Sequence, residues 1–357
     1  MVVLGQPDLF SNTSNNTPGA PGTRSAQSFN FPTYATVING RLFVTDGAST
    51  GFGRILVWNS IPTTNQQPAD VVICQPNMGA SNTGHSLSGF TYPASVSSYR
   101  THLFVTDFYN HRVVGWNSIP TVSGQSADFV IGQSSVVGNT PNNGAGAGSP
   151  SAIGFQKPQN SLVVGSNLIV SDGSNNRVLI FSPIPTGNVG ANIVLGQTSM
   201  NANTANMGLG SPTPQTLSDP VGLLFINNHF VIADFSNNRV LIWNSFPTQN
   251  GQPADLVLGQ PNMYFGTCNS NGISATSLCN PYGVSSDGTR LFVSDYGNAR
   301  ILIWNSFPTV NDQPADVVIG QSNMGSVTSI LNGIYLNSPG MIYQNEGVFG
   351  VKTPFGY

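Results

Sequence analysis

Fourteen acidic side chains, eleven basic ones and four histidines are all that this chain of 357 residues offers for acid–base or metal chemistry. Nine of the acids recur at two positions of one pattern: Asp46, Asp107, Asp172, Asp234 and Asp295, then Asp70, Asp128, Asp255 and Asp316. Five of the nine arginines, Arg54, Arg112, Arg177, Arg239 and Arg300, follow the first set at near-constant distance. Charges that recur with a period read as structural pairs at strand ends rather than as a reaction centre. Asp8, Asp219, Asp287, Asp312 and Glu346 stand outside the pattern, a thin supply for paired-carboxylate catalysis.

The histidines are His85, His102, His111 and His229, and their spacing matches no metal motif. His102 and His229 are expected on one face and His85 and His111 on the other, and His85 with His111 is the one pair that could meet, as a solvated surface pair. No Ser-His-Asp arrangement or phosphate-binding loop is evident, and the Gly-rich run Gly144–Gly148 reads as a flexible loop because no helix follows it. Cys268 and Cys279 lie in one loop and could bridge if their Cβ atoms meet, which requires an oxidising compartment. Cys74 stands where other repeats have glycine and reads as a buried apolar thiol. Asn12-Thr-Ser14 and Asn15-Asn-Thr17 are glycosylation sequons, meaningful in an exported protein.

The elements that must carry these residues are short strands. Five copies run Arg54-Ile-Leu-Val-Trp58, Arg112-Val-Val-Gly-Trp116, Arg177-Val-Leu-Ile-Phe181, Arg239-Val-Leu-Ile-Trp243 and Arg300-Ile-Leu-Ile-Trp304, with arginines 58, 65, 62 and 61 residues apart. All four tryptophans share one slot, which is a packing signature. Before each arginine an apolar run ends in the repeat aspartate. Before that, a strand opens at Pro32, Pro93, Pro158, Pro220 or Pro281; after it, a run such as Val71-Val-Ile73 ends near Gln75, Gln133, Gln197, Gln260 or Gln321. β-Branched and aromatic residues dominate, no helical period appears, and proline at strand starts fits a position that needs no ladder donor. Four antiparallel strands repeated radially form a β-propeller blade.

Asp107-Phe-Tyr-Asn110-His111-Arg112-Val113 resembles the Asp-x-x-Asn-His-Arg-Ile core of NHL repeats, and Asp172/Asn175/Arg177, Asp234/Asn237/Arg239 and Asp295/Asn298/Arg300 keep its spacing. The first copy departs, with three extra residues between Asp46 and Arg54 and no asparagine. The resemblance implies a six-bladed all-β propeller of four-stranded antiparallel blades. Enzymes of that kind include zinc-dependent amidating lyases, lyases acting on cyclic peptide antibiotics and, more distantly, calcium-dependent lactonases. Those activities would require histidines or acids aimed into the channel. The inner strands here, such as Ser95-Val-Ser-Ser98 and Gly222-Leu-Leu-Phe225, supply hydroxyls and apolar groups.

The expected blades cover about 30–75, 91–133, 156–197, 218–260 and 279–321, with a sixth made of 336–357 plus 1–6. Pro339–Tyr343 and Val348–Val351 read as its first two strands. Val2-Val-Leu-Gly-Gln6 reads as a fourth strand that joins the C-terminal blade and closes the ring, leaving one strand unaccounted for. An open edge invites strand exchange with another copy.

Composition narrows the partners. Charged residues are 7% of the chain, against about 25% in an average soluble protein. Two lysines and nine arginines with a net charge of −3 give no basic stripe for nucleic acid or anionic membranes. No apolar run is long enough to span a bilayer. The loops joining fourth to first strands vary most, run from 18 to 26 positions between the glutamine and the next proline, and are rich in Asn, Ser, Thr and Gly. Variable loops on a repeat fold are where recognition concentrates. The sequence therefore points to a non-catalytic extracellular or cell-surface scaffold that needs no cofactor and can self-assemble. A lyase or hydrolase at the channel mouth is the first alternative. The second is a glycan- or peptide-binding module using loop aromatics such as Phe108, Tyr109, Phe235, Tyr264 and Tyr296.

Overall fold

A computed structural model describes residues 2–8, 10–11, 13–47, 53–82, 84–327, 342–345 and 348–351. It is an all-β propeller with five four-stranded antiparallel blades. Blade one comprises Pro32–Ile38, Arg41–Asp46, Arg54–Trp58 and Val71–Ile73, and blade two comprises Pro93–Tyr99, His102–Asp107, Arg112–Trp116 and Phe129–Ile131. Blade three comprises Pro158–Val164, Asn167–Asp172, Arg177–Phe181 and Ile193–Leu195. Pro220–Ile226, His229–Asp234, Arg239–Trp243 and Leu256–Leu258 form blade four; Pro281–Ser286, Leu291–Asp295, Arg300–Trp304 and Val317–Ile319 form blade five. The proline-led strands of successive blades lie side by side and line the axis.

The repeat spacing has a physical cause. After the second strand of blades two to five a short 3-10 turn (Phe108–Asn110, Gly173–Asn175, Phe235–Asn237, Tyr296–Asn298) ends in a left-handed residue, and the arginine follows at once. Asp172 Oδ2 accepts from Arg177 Nε at 2.8 Å and from Asn175 Nδ2 at 2.8 Å, while its Oδ1 accepts the backbone N–H of Gln156 at 2.6 Å. One carboxylate thus ties the turn, the third strand and the entry to the first strand. Each tryptophan of the shared slot is buried, and its indole N–H reaches a carbonyl of the loop ahead: Gln67, Gln125, Gln252 or Gln313.

Cys74 is buried and takes φ +74°, the left-handed position that Gly132, Gly196, Gly259 and Gly320 fill elsewhere. The longer Asp46–Arg54 turn lies largely outside the described residues.

A hairpin, Ile342–Asn345 with Val348–Val351, sits with its first strand beside the inner strands of blades five and one. The sequence predicts six blades with a closing N-terminal strand; the described structure is five blades and this hairpin. Val2–Gln6 forms no strand ladder among the described residues. A fourth strand needs a third strand to pair with, and none is described next to it. The rest of the predicted sixth blade lies outside the described residues.

Candidate functional site

The five repeat charge pairs are buried ion pairs inside single blades. Asp46–Arg54, Asp107–Arg112, Asp172–Arg177, Asp234–Arg239 and Asp295–Arg300 meet at 2.7–2.9 Å with both side chains fully buried. Burial pushes the Asp107, Asp172, Asp234 and Asp295 carboxyls up, against the pull of their arginines and N–H donors. The guanidinium groups spend their remaining donors on loop carbonyls: Arg239 reaches Met263 at 2.5 Å, Thr213 at 2.9 Å and Thr216 at 2.8 Å. With the Nε bond to Asp234, four of the five N–H donors of Arg239 are spent within the protein. In the second aspartate set, Asp70, Asp128, Asp255 and Asp316 accept the backbone N–H of Asn59, Asn117, Asn244 and Asn305 at 2.7–2.8 Å, fixing the loop between third and fourth strands.

Cys268 and Cys279 form a disulfide with Cα atoms 4.5 Å apart. Cys279 N–H is also a donor to Asp295 Oδ1, so the bridge anchors the loop that enters blade five. Asn15 is half-buried at the loop position held by Asn142, Asn206 and Asn269 in later repeats, each donating its N–H to a carbonyl such as Phe29 or Phe155. Asn12 lies outside the described residues.

His85 and His111 are not a solvated pair. His85 is exposed and bonds Asn110 Oδ1 at 2.8 Å, but His111 is buried, and its Nδ1 accepts the backbone N–H of Lys157 at 2.9 Å. Burial, then the Lys157 charge, lowers His111 from 6.5 to about 4. Among the described residues no three His, Cys, Asp or Glu groups gather as metal ligands.

The chemistry collects instead at a position whose signal is the residue just before each strand-opening proline. Phe31, Tyr92, Lys157, Asp219 and Asn280 occupy it: five residue types at one repeat position, each followed by the shared proline. Because the proline opens the innermost strand, these side chains ring the axis on the face carrying the variable loops. Lys157, Asp219 and Asn280 have φ of +54°, +49° and +50°, an uncommon conformation for residues with a Cβ. Each is held by the preceding blade: His111, Asn176 and Asn238 accept their N–H groups at 2.9 Å.

Aromatic side chains complete an arc. Tyr92 lies 6.4 Å from Phe31, 5.6 Å from Phe108 and 5.6 Å from Tyr109 between ring centroids. Lys157 Nζ stands 5.8 Å from the Phe108 ring centre, a cation–π contact. Further round, Phe235, Tyr282 and Tyr296 pack with centroids 5.9–6.3 Å apart. Most of these rings are half-buried.

Between the aromatic groups sits Asp219. Blades two, four and five place Phe108, Phe235 and Tyr296 after the repeat aspartate, whereas blade three has Gly173. A Cβ there would stand 2.6 Å from Asp219 Oδ1 and 2.9 Å from Gln159 Cγ, so the glycine makes room for both side chains. Burial raises the Asp219 carboxyl above its ordinary value, with Gln159 and Lys157 opposing. Burial and the nearby Asp219 charge push Tyr282 up; burial, Tyr282 and Tyr109 do the same to Tyr92.

Of the loop aromatics singled out from sequence, Phe108, Tyr109, Phe235 and Tyr296 come together at this mouth, while Tyr264 makes no ring contact among the described residues and is 61% exposed. Lys157, Gln159, Asp219, Tyr92 and Tyr282 were not singled out as site residues. The departure from uniformity at one repeat position was the available signal. A separate hollow of about 240 Å³ between Pro76, Asn82, Ser86, Ser88, Gly89 and Gly124 holds no titratable side chain.

No protein-family model and no curated protein matches the sequence. Solved structures match the fold. A periplasmic gluconolactonase of Pseudomonas aeruginosa aligns with TM-score 0.50 and 13% identity, over 92% of this chain and 75% of that one. Virginiamycin B lyase from Staphylococcus aureus aligns at 0.43 and 11%, over 93% and 95%, and the computationally designed Ika8 protein at 0.44 and 10%, over 93% and 95%. At 13% identity the likeness to the gluconolactonase is one of fold alone.

Proposed function

We propose that this propeller binds a neutral, polyhydroxylated ligand of the saccharide class at the channel mouth. The observation that carries the reading is the arc itself: aromatic faces on both sides of Lys157, Gln159 and Asp219, all from one repeat position and its immediate neighbours. Half-buried aromatic rings at a channel mouth can stack on the C–H faces of a sugar ring, and a few convergent polar groups fix its hydroxyls. The repeat charges take no part, since their hydrogen bonds are spent within the blades. The protein acts as a binding scaffold in an extracellular or cell-surface setting, a placement supported by the Cys268–Cys279 disulfide. Titration calorimetry against a panel of neutral mono- and oligosaccharides tests the reading. Saturable binding that falls at least tenfold in Tyr92→Ala and in Asp219→Asn is expected. Binding unaffected by either substitution, or none across the panel, overturns it.

Asp219 favours a second reading, a hydrolase or lyase at the same mouth. A half-buried carboxyl held above its ordinary value beside Lys157 and Tyr282 is arranged as a general acid or base would be. Turnover of sugar lactones or esters that disappears in Asp219→Asn would establish it; binding without turnover returns the first reading.

A further inference from the structure

Asp219 differs from the repeat aspartates in its charge balance. Asp46, Asp107, Asp172, Asp234 and Asp295 each hold an arginine at 2.7–2.9 Å. Asp219 is half-buried, yet among the described residues no lysine, arginine or histidine nitrogen lies within 4.0 Å of its carboxylate. Burial holds this carboxyl above its ordinary value, a cost that a neighbouring cation would remove.

The repeat shows where such a cation would sit. In blade two the turn residue Phe108 packs on Tyr92, the residue before that blade's proline, with centroids 5.6 Å apart. The next blade then supplies Lys157, whose Nζ stands 5.8 Å from the Phe108 ring centre. Two blades further on, the same three positions are held by Phe235, Asp219 and Asn280. An acid takes the tyrosine's place, and a neutral amide takes the lysine's. Asn280 donates a side-chain N–H to the Phe235 carbonyl at 3.4 Å. The aromatic wall is fuller here, because Tyr282 and Tyr296 stand 5.9 and 6.3 Å from Phe235 between centroids. Phe235 and Tyr282 rest on the apolar cluster that includes Val96 and Val221, and the Asp219 charge acts on Tyr282. On the blade-three side, Gly173 spares Asp219 Oδ1 a Cβ that would lie 2.6 Å away.

We propose that the Asp219 side of the mouth binds a methylated organic ammonium group of the choline type, held between the carboxylate and the rings of Phe235, Tyr282 and Tyr296. Aromatic rings attract a cation through their quadrupoles, most strongly where water is displaced. The carboxylate adds direct charge attraction in a half-buried setting that salt screens weakly. A metal ion would need several oxygen ligands, and no acid cluster supplies them among the described residues. A primary ammonium would need acceptors for three N–H groups, and Asp219 already accepts from Gln159. Lys157 opposes the cation through its like charge, but its ammonium is engaged on Phe108. The inference goes beyond the saccharide reading and does not depend on it, since it requires no hydroxyl groups.

Calorimetric titration of the full chain with choline, in the absence of any sugar, is the test. Saturable one-to-one binding is expected. The uncharged isostere of choline, with carbon in place of nitrogen, should bind at least about tenfold more weakly. Asp219→Asn should weaken choline by at least about tenfold and Phe235→Leu by about fivefold, whereas Lys157→Met, which removes a like charge, should tighten it by about threefold. The opposite signs separate charge recognition from a loss of fold, and melting temperatures of the three variants are recorded alongside. The proposal is overturned by an absence of saturable choline binding, by equal affinity for the isostere, or by an affinity indifferent to both Asp219→Asn and Phe235→Leu. Because no sugar is present, failure here leaves the saccharide reading standing, and failure of the sugar panel leaves this inference standing.

Discussion

His111 accepts the backbone N–H of Lys157 across the boundary between blades two and three, its Nδ1 lying 2.9 Å from that nitrogen. A ring nitrogen that accepts cannot carry a proton, and the buried ring beside the Lys157 ammonium is held down to about 4. The unfolded chain protonates near the ordinary 6.5, so as pH falls from there toward about 4 the unfolded state binds the proton and the folded state does not. This contribution to stability is complete above the unfolded value and is lost through that window, at up to about 1.4 kcal/mol per pH unit. His111→Asn should abolish it without losing the bond, because Asn176 and Asn238 make the same bond to Asp219 and Asn280. Urea midpoints measured from about pH 4 to 7 for both proteins check this: the wild type falls more steeply, and parallel curves would refute the assignment.

Gly173→Ala is the least invasive probe of the mouth. The backbone there tolerates a side chain, since Phe108, Phe235 and Tyr296 occupy the equivalent turns. The new methyl instead collides with the Asp219 carboxylate. Ligand affinity should fall at least tenfold, while the melting temperature changes by no more than a few degrees. An unchanged affinity would remove Asp219 from the site.

Two arginine substitutions separate buried from exposed pairing. Arg239→Met leaves Asp234 buried without its counter-ion and strips three carbonyls of their donor, a loss of about 3–5 kcal/mol. Arg290→Met breaks a pair with Asp287 in which the arginine side chain is 44% exposed, and should cost no more than about 1 kcal/mol. Denaturant unfolding of the two variants should rank them in that order by a wide margin.

Cutting the disulfide should loosen the entry to blade five. The bridge spans a sequence separation of 11 residues, for which chain entropy alone gives about 3 kcal/mol. Cys268→Ser with Cys279→Ser is expected to lower the melting temperature and to raise amide exchange at Asn280 and Gly297, whose backbone contacts run through that loop. Exchange unchanged there would show the loop to be held by Asp295 alone.

The sequence by itself determined the blade. The run Asp172-Gly-Ser-Asn175-Asn-Arg177 contains its own turn, because one carboxylate must receive both the asparagine amide and the arginine Nε across that short span, and strand alternation sets the rest. Such local demands repeat, and repetition makes them legible. What only the tertiary structure decided is what comes together across blades. Lys157 and Asp219 are 62 residues apart, and nothing local joins them; radial stacking alone brings both to one mouth, with Gly173 vacating the space between. Val3 likewise reads as a strand by its sequence, yet a strand exists only where a neighbour supplies the other half of the ladder. Its docking on Asn65 and Gln66 became visible once blade one was in place.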